Sequence, residues 1–199
     1  MDKSMMEFYK SALQGALTKS PLCAEYKGAW RACGDDKEKL MKLVLRQQSI
    51  PYFITHCHKG KGLTKDYILE NFGEFINGKR TFEDVEGVKG YTYQLYVGHN
   101  QDFGITADVT SLMWCDSPQV VVAPTKCPTI YISNGSNVHL ACDGFNTINV
   151  KLFDNSMVTI EDCDTNSEVF VYKYSKNAKV ELGKYCLGGV KVFDKELRL

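Results

Sequence analysis

The chain has 199 residues, of which 44% are hydrophobic and 24% are charged, a balance typical of soluble globular proteins. Lysine plus arginine equals aspartate plus glutamate at 24 each, so no net charge attracts the protein to nucleic acid or to an anionic membrane. No stretch reaches the about 18 apolar residues of a membrane-spanning helix, and the N-terminus lacks the apolar run of a signal peptide. We therefore expect a cytoplasmic protein with neither a membrane nor a nucleic acid as its partner.

The cysteine content is high for a chain with these properties. In a small secreted protein it would indicate a disulfide framework, but this chain is larger and carries no export signal. We interpret most of the cysteines as buried, reduced thiols. They lie at positions 23, 33, 57, 115, 127, 142, 163 and 186.

Residues 1–80 carry helix signals and are predicted to form a compact helical subdomain. Capping residues that precede apolar positions at helical spacing are Ser4, Asp35 and Thr64. After Ser4 and Asp35 a glutamate follows three positions later, as in a capping box. A further helix is predicted from about Cys23 to Cys33, and Asn77 with Gly78 provides the final stop.

The densest cluster of reactive side chains in this subdomain is formed by the consecutive residues His56, Cys57 and His58. Imidazole and thiolate are good zinc ligands, and Cys23 and Cys33 could complete a four-ligand site. However, the sequence has no C-x-x-C spacing, and consecutive residues on a strand point to opposite faces. The simpler interpretation is a cysteine packed inward between two exposed histidines at the end of a helix. A Cys57 nucleophile activated by a neighbouring histidine is a further alternative.

Lys59 and Lys61 lie in a glycine-containing connector just before the helix that Thr64 caps. Lysines and the free amides of a helix N-terminus can hold an anion such as phosphate. The spacing does not match a P-loop, so a basic connector is the ordinary explanation. We retain Lys59 and Lys61 as candidate binding residues.

Residues 81–127 are predicted to form irregular β structure that caps the region following it. Tyr91, Tyr93 and Tyr96 indicate a strand rich in aromatic residues. Pro124 and Pro128 then mark the entrance to a more regular pattern.

Residues 128–199 contain a loose repeat of about twenty residues, each unit with two short apolar triplets. Within a triplet the outer residues are apolar and the central one varies, which indicates a strand with one buried face. The first strands of the units lie at 130–132, 148–150, 169–171 and 190–192, and the second strands at 138–140, 158–160 and 180–182.

The turns of the repeat also recur, which favours a β-solenoid of stacked coils. In such a stack Cys142 would lie against Cys163, and asparagine would meet asparagine at the opposite turn. The turn asparagines are Asn134, Asn155 and Asn177. We interpret the aspartates of the repeat, Asp143, Asp154, Asp162 and Asp164, as turn formers and not as ligands. The alternative fold is an antiparallel β-meander or sandwich.

Aromatic residues recur in the repeat and could form a ladder along one face. If exposed, the ladder would bind sugars or a partner, and if buried it would belong to the core. We take Tyr131 and Tyr172 as its candidate binding residues. The other members are Phe153, Phe170, Tyr174, Tyr185 and Phe193.

The helical N-terminal region combined with the string CPTIYISN at 127–134 and its repeats resembles uncharacterised proteins of gut Bacteroidetes and their phages. The resemblance carries no catalytic motif and implies a cytosolic protein with an interaction or structural role. We thus expect an α+β chain in which a helical subdomain packs against a short β-solenoid, as a non-catalytic interaction or assembly module. Its partner would be another protein or a second copy, and no cofactor is expected. The alternative is a small enzyme or zinc-binding protein that uses the region of His56, Cys57 and His58.

Overall fold

A computed structural model describes residues 28–29, 32–46, 49–58, 63–83, 90–123, 127–142, 144 and 147–195. The helices in these ranges are α1 (Lys37–Leu45), α2 (Ile50–His58) and α3 (Lys65–Phe72). The strands are β1 (Phe82–Glu83), β2 (Thr92–Val97), β3 (Phe103–Ile105), β4 (Val109–Met113), β5 (Asp116–Val122), β6 (Thr129–Ser133), β7 (Asn137–Cys142), β8 (Thr147–Leu152), β9 (Met157–Cys163), β10 (Glu168–Lys173), β11 (Lys179–Cys186) and β12 (Gly189–Asp194).

The strands form a β-solenoid of about five coils. From β2 onward, successive strands alternate between two sheets, so that each coil contributes to both. The seven-stranded sheet has the order β1-β2-β4-β6-β8-β10-β12 and the five-stranded sheet has the order β11-β9-β7-β5-β3. Every pairing between coils is parallel, and only the short β1 pairs antiparallel with β2. The predicted α+β solenoid fold is therefore confirmed, and the antiparallel meander is not the fold that forms.

The register between coils follows the cysteines. Cys142 aligns with Cys163, which in turn aligns with Cys186. The predicted stacking of Asn134 on Asn155 is wrong, because Gly135 lies against Asn155 and Asn134 lies against Asp154. A Cβ atom on Gly135 would lie 3.5 Å from the side-chain amide of Asn155.

Two apolar cores share the seven-stranded sheet. Inward residues of both sheets, such as Leu140 and Val150, are fully buried inside the coils. Outward residues of β2 and β4, such as Leu95 and Val109, pack against the helices around Phe53. Burial of each such side chain contributes about 1.5–3 kcal/mol, so most of the stability of the helices comes from this sheet.

The helix caps follow the predictions in part. Thr64 caps α3 and accepts a hydrogen bond from the amide of Tyr67 at 3.2 Å, as expected. The cap of α1 is Asp36, not Asp35, and it accepts from the amide of Lys39 at 3.0 Å. Glu38 consequently makes no capping box. It pairs instead with other side chains, namely Lys42 at 3.3 Å and Arg80 at 2.8 Å.

The helix α3 ends at Phe72, before the predicted stop at Asn77. Asn77 has a positive φ of 57° and bonds to strand β2. Its backbone amide donates to Leu95 O at 2.9 Å, while its side chain donates to Val97 O at 3.2 Å and accepts from Val97 N at 2.8 Å. Asn77 thus occupies the edge of β2 that no later coil covers.

The regular stack begins at Thr92, upstream of the triplets that defined the repeat. The repeat of about twenty residues is not visible in the sequence of the earlier coils, for two reasons. Their outward residues are apolar because helices cover them, and their inward rows include the buried polar residues Gln94 and Thr110. Alternation between apolar and polar residues is visible only where one sheet face meets water.

Candidate functional site

The outer face of the seven-stranded sheet changes character along the solenoid. The helices cover it over β2 and β4, whereas over β8, β10 and β12 it carries aromatic and lysine side chains that are mostly half-buried or exposed. We call this surface the aromatic-lysine face. Its residues are Lys151, Phe153, Phe170, Tyr172, Tyr174, Lys191, Phe193 and Lys195.

The aromatic rings of this face are stacked along the solenoid axis. The centroids of Phe153 and Tyr174 are 4.9 Å apart with planes at 10°, and those of Tyr172 and Phe193 are 5.3 Å apart at 18°. Tyr131 continues the first stack, 6.2 Å from Phe153 at 12°. Parallel strands in register stand about 4.8 Å apart, so equivalent rings on successive coils meet face to face. Their faces contact each other and their edges point outward.

The lysines lie over the same rings. The Lys151 ammonium is 4.7 Å from the ring centroid of Tyr131 and donates to its hydroxyl at 2.9 Å, and burial lowers the Lys151 pKa. Lys191 lies 5.0 Å from the ring centroid of Phe170 and also pairs with the carboxylate of Glu168 at 3.2 Å. Lys195 lies 5.8 Å from that of Phe193. Because ring edges are the positive part of the aromatic quadrupole, edges and ammonium groups together make this face attractive to anions.

The candidate binding residues of the ladder differ in accessibility. Tyr131 is only 1% exposed and belongs to the core beneath the helices, where burial raises its pKa. Tyr172 is partly exposed within the aromatic-lysine face. Tyr185 lies on β11 of the other sheet, away from this face. The binding roles of Tyr131 and Tyr172 remain predictions.

The three lysines of the face were not among the residues singled out from the sequence. Their signal was present, because Lys191 occupies the variable centre of an apolar triplet and Lys151 directly follows another. Which of those central positions face water and which lie beneath the helices depends on tertiary packing.

The region of His56, Cys57 and His58 forms the last turn of α2, the helix end that the simpler interpretation predicted. Cys57 and Cys33 belong to the buried helical cluster, and burial raises the pKa of Cys57 to about 12. That environment favours the thiol over the thiolate, which is the form that ligates zinc or attacks a substrate. Cys23, Lys59, Lys61 and the side chains of His56 and His58 lie outside the described residues. Within the described part of the chain, no group of three or more histidine, cysteine or carboxylate side chains could hold a metal. The zinc alternative remains a prediction.

A cavity of about 290 Å³ opens in the helical subdomain beside Cys33. Lys39 and Lys42 line it, but their ammonium groups are engaged by Asp36 at 3.1 Å and Glu38 at 3.3 Å. Its charges are thus largely compensated within α1 and its cap.

A column of thiols runs through successive coils along one side of the solenoid core. Cys142, Cys163 and Cys186 stand on successive coils and share side-chain hydrogen bonds. Burial raises the pKa of all three. The column is a packing feature that keeps its sulfur atoms protonated.

We expect thiol reactivity to follow this burial. At about pH 8 the exposed Cys127 should react first with maleimide, whereas Cys57 and Cys115, with pKa values raised to about 12 and about 11, should react at least about 100-fold more slowly. Mass spectrometry of labelled peptides, native against urea-unfolded, measures the ratio. Labelling of Cys57 as fast as that of Cys127 would contradict the burial of Cys57 and would support the alternative of a reactive cysteine at this position.

Comparisons with protein-family models, curated proteins and solved structures give no match for this chain. Among the described helices, none is long and apolar enough to cross a membrane. The functional conclusion below therefore depends on the geometry of the chain itself.

Proposed function

We propose that this chain is a non-catalytic protein-interaction module that binds an acidic segment of a partner protein on its aromatic-lysine face. The supporting observation is the concentration of lysines and outward ring edges on one partly exposed sheet face of a protein with zero net charge. We further propose a cytoplasmic location and an origin in gut Bacteroidetes or their phages, as the sequence resemblance implies.

The orientation of the rings selects the class of ligand. Sugars and nucleic-acid bases bind aromatic residues by stacking on open ring faces. In this ladder the faces of Phe153 and Tyr174 contact each other, as do those of Tyr172 and Phe193. A carboxylate needs no open ring face. It can approach the ring edges, the tyrosine hydroxyls and the ammonium group of Lys195, and it can compete with Glu168 for that of Lys191, so acidic side chains fit better than sugars or bases.

A defined polyanion tests this surface. Fluorescein-labelled poly-L-glutamate should bind the wild-type protein at low salt, with weaker binding as salt rises. The triple substitution of Lys151, Lys191 and Lys195 by glutamine should weaken binding at least about tenfold, because it removes three positive charges from one contiguous surface. Fluorescence anisotropy gives the dissociation constants.

The matched control replaces three other lysines by glutamine, namely Lys39, Lys79 and Lys184, and removes the same net charge. It should retain binding within about twofold of the wild type. Equal losses in both triple variants would show a bulk charge effect and overturn the proposal. Tighter binding of oligo(dT) than of poly-L-glutamate would also overturn it, in favour of single-stranded nucleic acid.

A further inference from the structure

The two ends of the solenoid differ in how far their edge strands and core residues are covered. In the core column Leu140, Ile160 and Leu182, the first two side chains are fully buried, but Leu182 is 61% exposed. In the column of the other sheet, Val171 is fully buried and Val192 is 48% exposed. The last coil therefore presents apolar residues at core positions to solvent, and no strand of the described ranges pairs with the outer edges of β11 and β12.

The opposite end is covered at the seven-stranded sheet. Strand β1 pairs with the start of β2, and Asn77 bonds to its end at Leu95 and Val97. The ring of Phe103 stacks on Tyr96 with centroids 3.9 Å apart and closes the core there. An incoming strand finds no free edge on β2. Head-to-tail pairing of copies through the seven-stranded sheet is thereby blocked.

We infer that two copies of this chain join end to end through β11 and β12 in a twofold-symmetric dimer. An identical end offers the same spacing between the two sheets and the same exposed core positions, so both pairs of edges can meet at once. A two-sided, symmetric contact of this kind closes on itself and does not propagate.

The edge sequences complement themselves in this arrangement. Antiparallel pairing of β11 about Val180 sets Lys179 opposite Glu181 of the second copy, and the reciprocal pair forms by symmetry. Antiparallel pairing of β12 about Val192 sets Lys191 opposite Phe193 of the second copy, a lysine-ring contact of the type that Lys191 makes with Phe170 within one chain. Like charges do not meet directly at these positions.

The size of the contact predicts a reversible dimer. Pairing about Val180 and Val192 overlaps residues 179–181 of β11 and 190–194 of β12, far fewer than the about 20–30 residues that each partner contributes to a standard interface. We expect a dissociation constant on the order of micromolar and a fast monomer-dimer exchange.

Sedimentation velocity over a concentration series tests this inference with the full chain. The wild type should shift from monomer to dimer and go no further. The double substitution Leu182→Lys and Val192→Lys should remain monomeric, because it places charges where the two cores meet. The control, Leu69→Lys and Val121→Lys, changes residues that are 36% and 40% exposed away from this end, and it should dimerise as the wild type does.

A charge reversal separates dimerisation from folding. Lys179→Glu alone should weaken the dimer about tenfold or more, and the further change Glu181→Lys should restore it, since both side chains are exposed within one chain. A wild-type protein that remains monomeric at about 100-fold above the expected dissociation constant would overturn the inference, and would mean that another segment covers this end. Open-ended assembly, or no rescue by the second charge reversal, would overturn it as well. The substituted residues Lys179, Glu181, Leu182 and Val192 all lie outside the aromatic-lysine face, so these variants test the dimer separately from poly-L-glutamate binding, although Lys191 and Phe193 belong to both surfaces.

Discussion

Leu140→Ala is expected to lower the free energy of unfolding by about 2–5 kcal/mol. Leu140 is fully buried between Val120 and Ile160 of the adjacent coils, and the parallel strands around it cannot close a cavity without losing their register. Urea unfolding followed by far-ultraviolet circular dichroism gives the value, at protein concentrations low enough for the monomer to dominate.

Leu182→Ala is the matched control, because Leu182 occupies the same column one coil beyond Ile160. With a side chain 61% exposed, it should cost less than about 1 kcal/mol in the monomer. The contrast between two identical substitutions measures how completely the last coil is open. Equal losses would show that the end of the stack is covered in solution, and would count against both the open end and the dimer inferred from it.

Asp154→Ala is expected to cost about 2–3 kcal/mol, because the carboxylate links one coil to the preceding one. It accepts hydrogen bonds from the amides of Asn134 at 2.6 Å and Gly135 at 3.0 Å, and from the hydroxyl of Ser156 at 2.8 Å. Its own φ of 48° adds strain for alanine. Thermal and urea unfolding of the variant measure the loss.

Asp164→Ala serves as the comparison for the turn on the other side. Among the described residues, the carboxylate of Asp164 accepts from its own turn alone, including the amide of Asn166 at 3.1 Å, and that bond together with the hydroxyl of Thr165 lowers its pKa. Asp164 is half-buried and its carboxylate bonds within one turn, so its replacement should have a small effect. If both variants lost the same stability, Asp154 would be a turn former like Asp164, and the link between coils would contribute nothing.

The contrast between these two aspartates shows where sequence analysis reached its limit. Both were predicted to form turns, and both lie in turns. Of the two carboxylates, only that of Asp154 bonds to another coil among the described residues, because the register places it beside the amides of Asn134 and Gly135. A sequence gives the local turn propensity of a residue but not the distance to a turn twenty residues away.

The candidate site was predictable to a similar extent. The period of about twenty residues predicted stacked strands, and with them a ladder of aromatic residues on one face. The sequence did not reveal that the helices bury Tyr131 and leave Tyr172 partly open, nor that Lys151, Lys191 and Lys195 would lie over the rings. Exposure on a sheet face depends on what packs above it, which is a contact between distant parts of the chain.

The sequence by itself determined the solenoid, the pairing of Cys142 with Cys163 and the Thr64 cap of the last helix, because these follow from alternation, repeat length and local hydrogen bonding. Tertiary structure alone decided which end of the stack is closed, which half of the outer sheet face is covered, and the start of the stack at Thr92. The physical reason is that the alternation of apolar and polar residues shows which face of a strand is buried within its own sheet, but not which distant segment packs on that sheet. The position of the helices and of Asn77 on that sheet arises from packing between segments far apart in the chain.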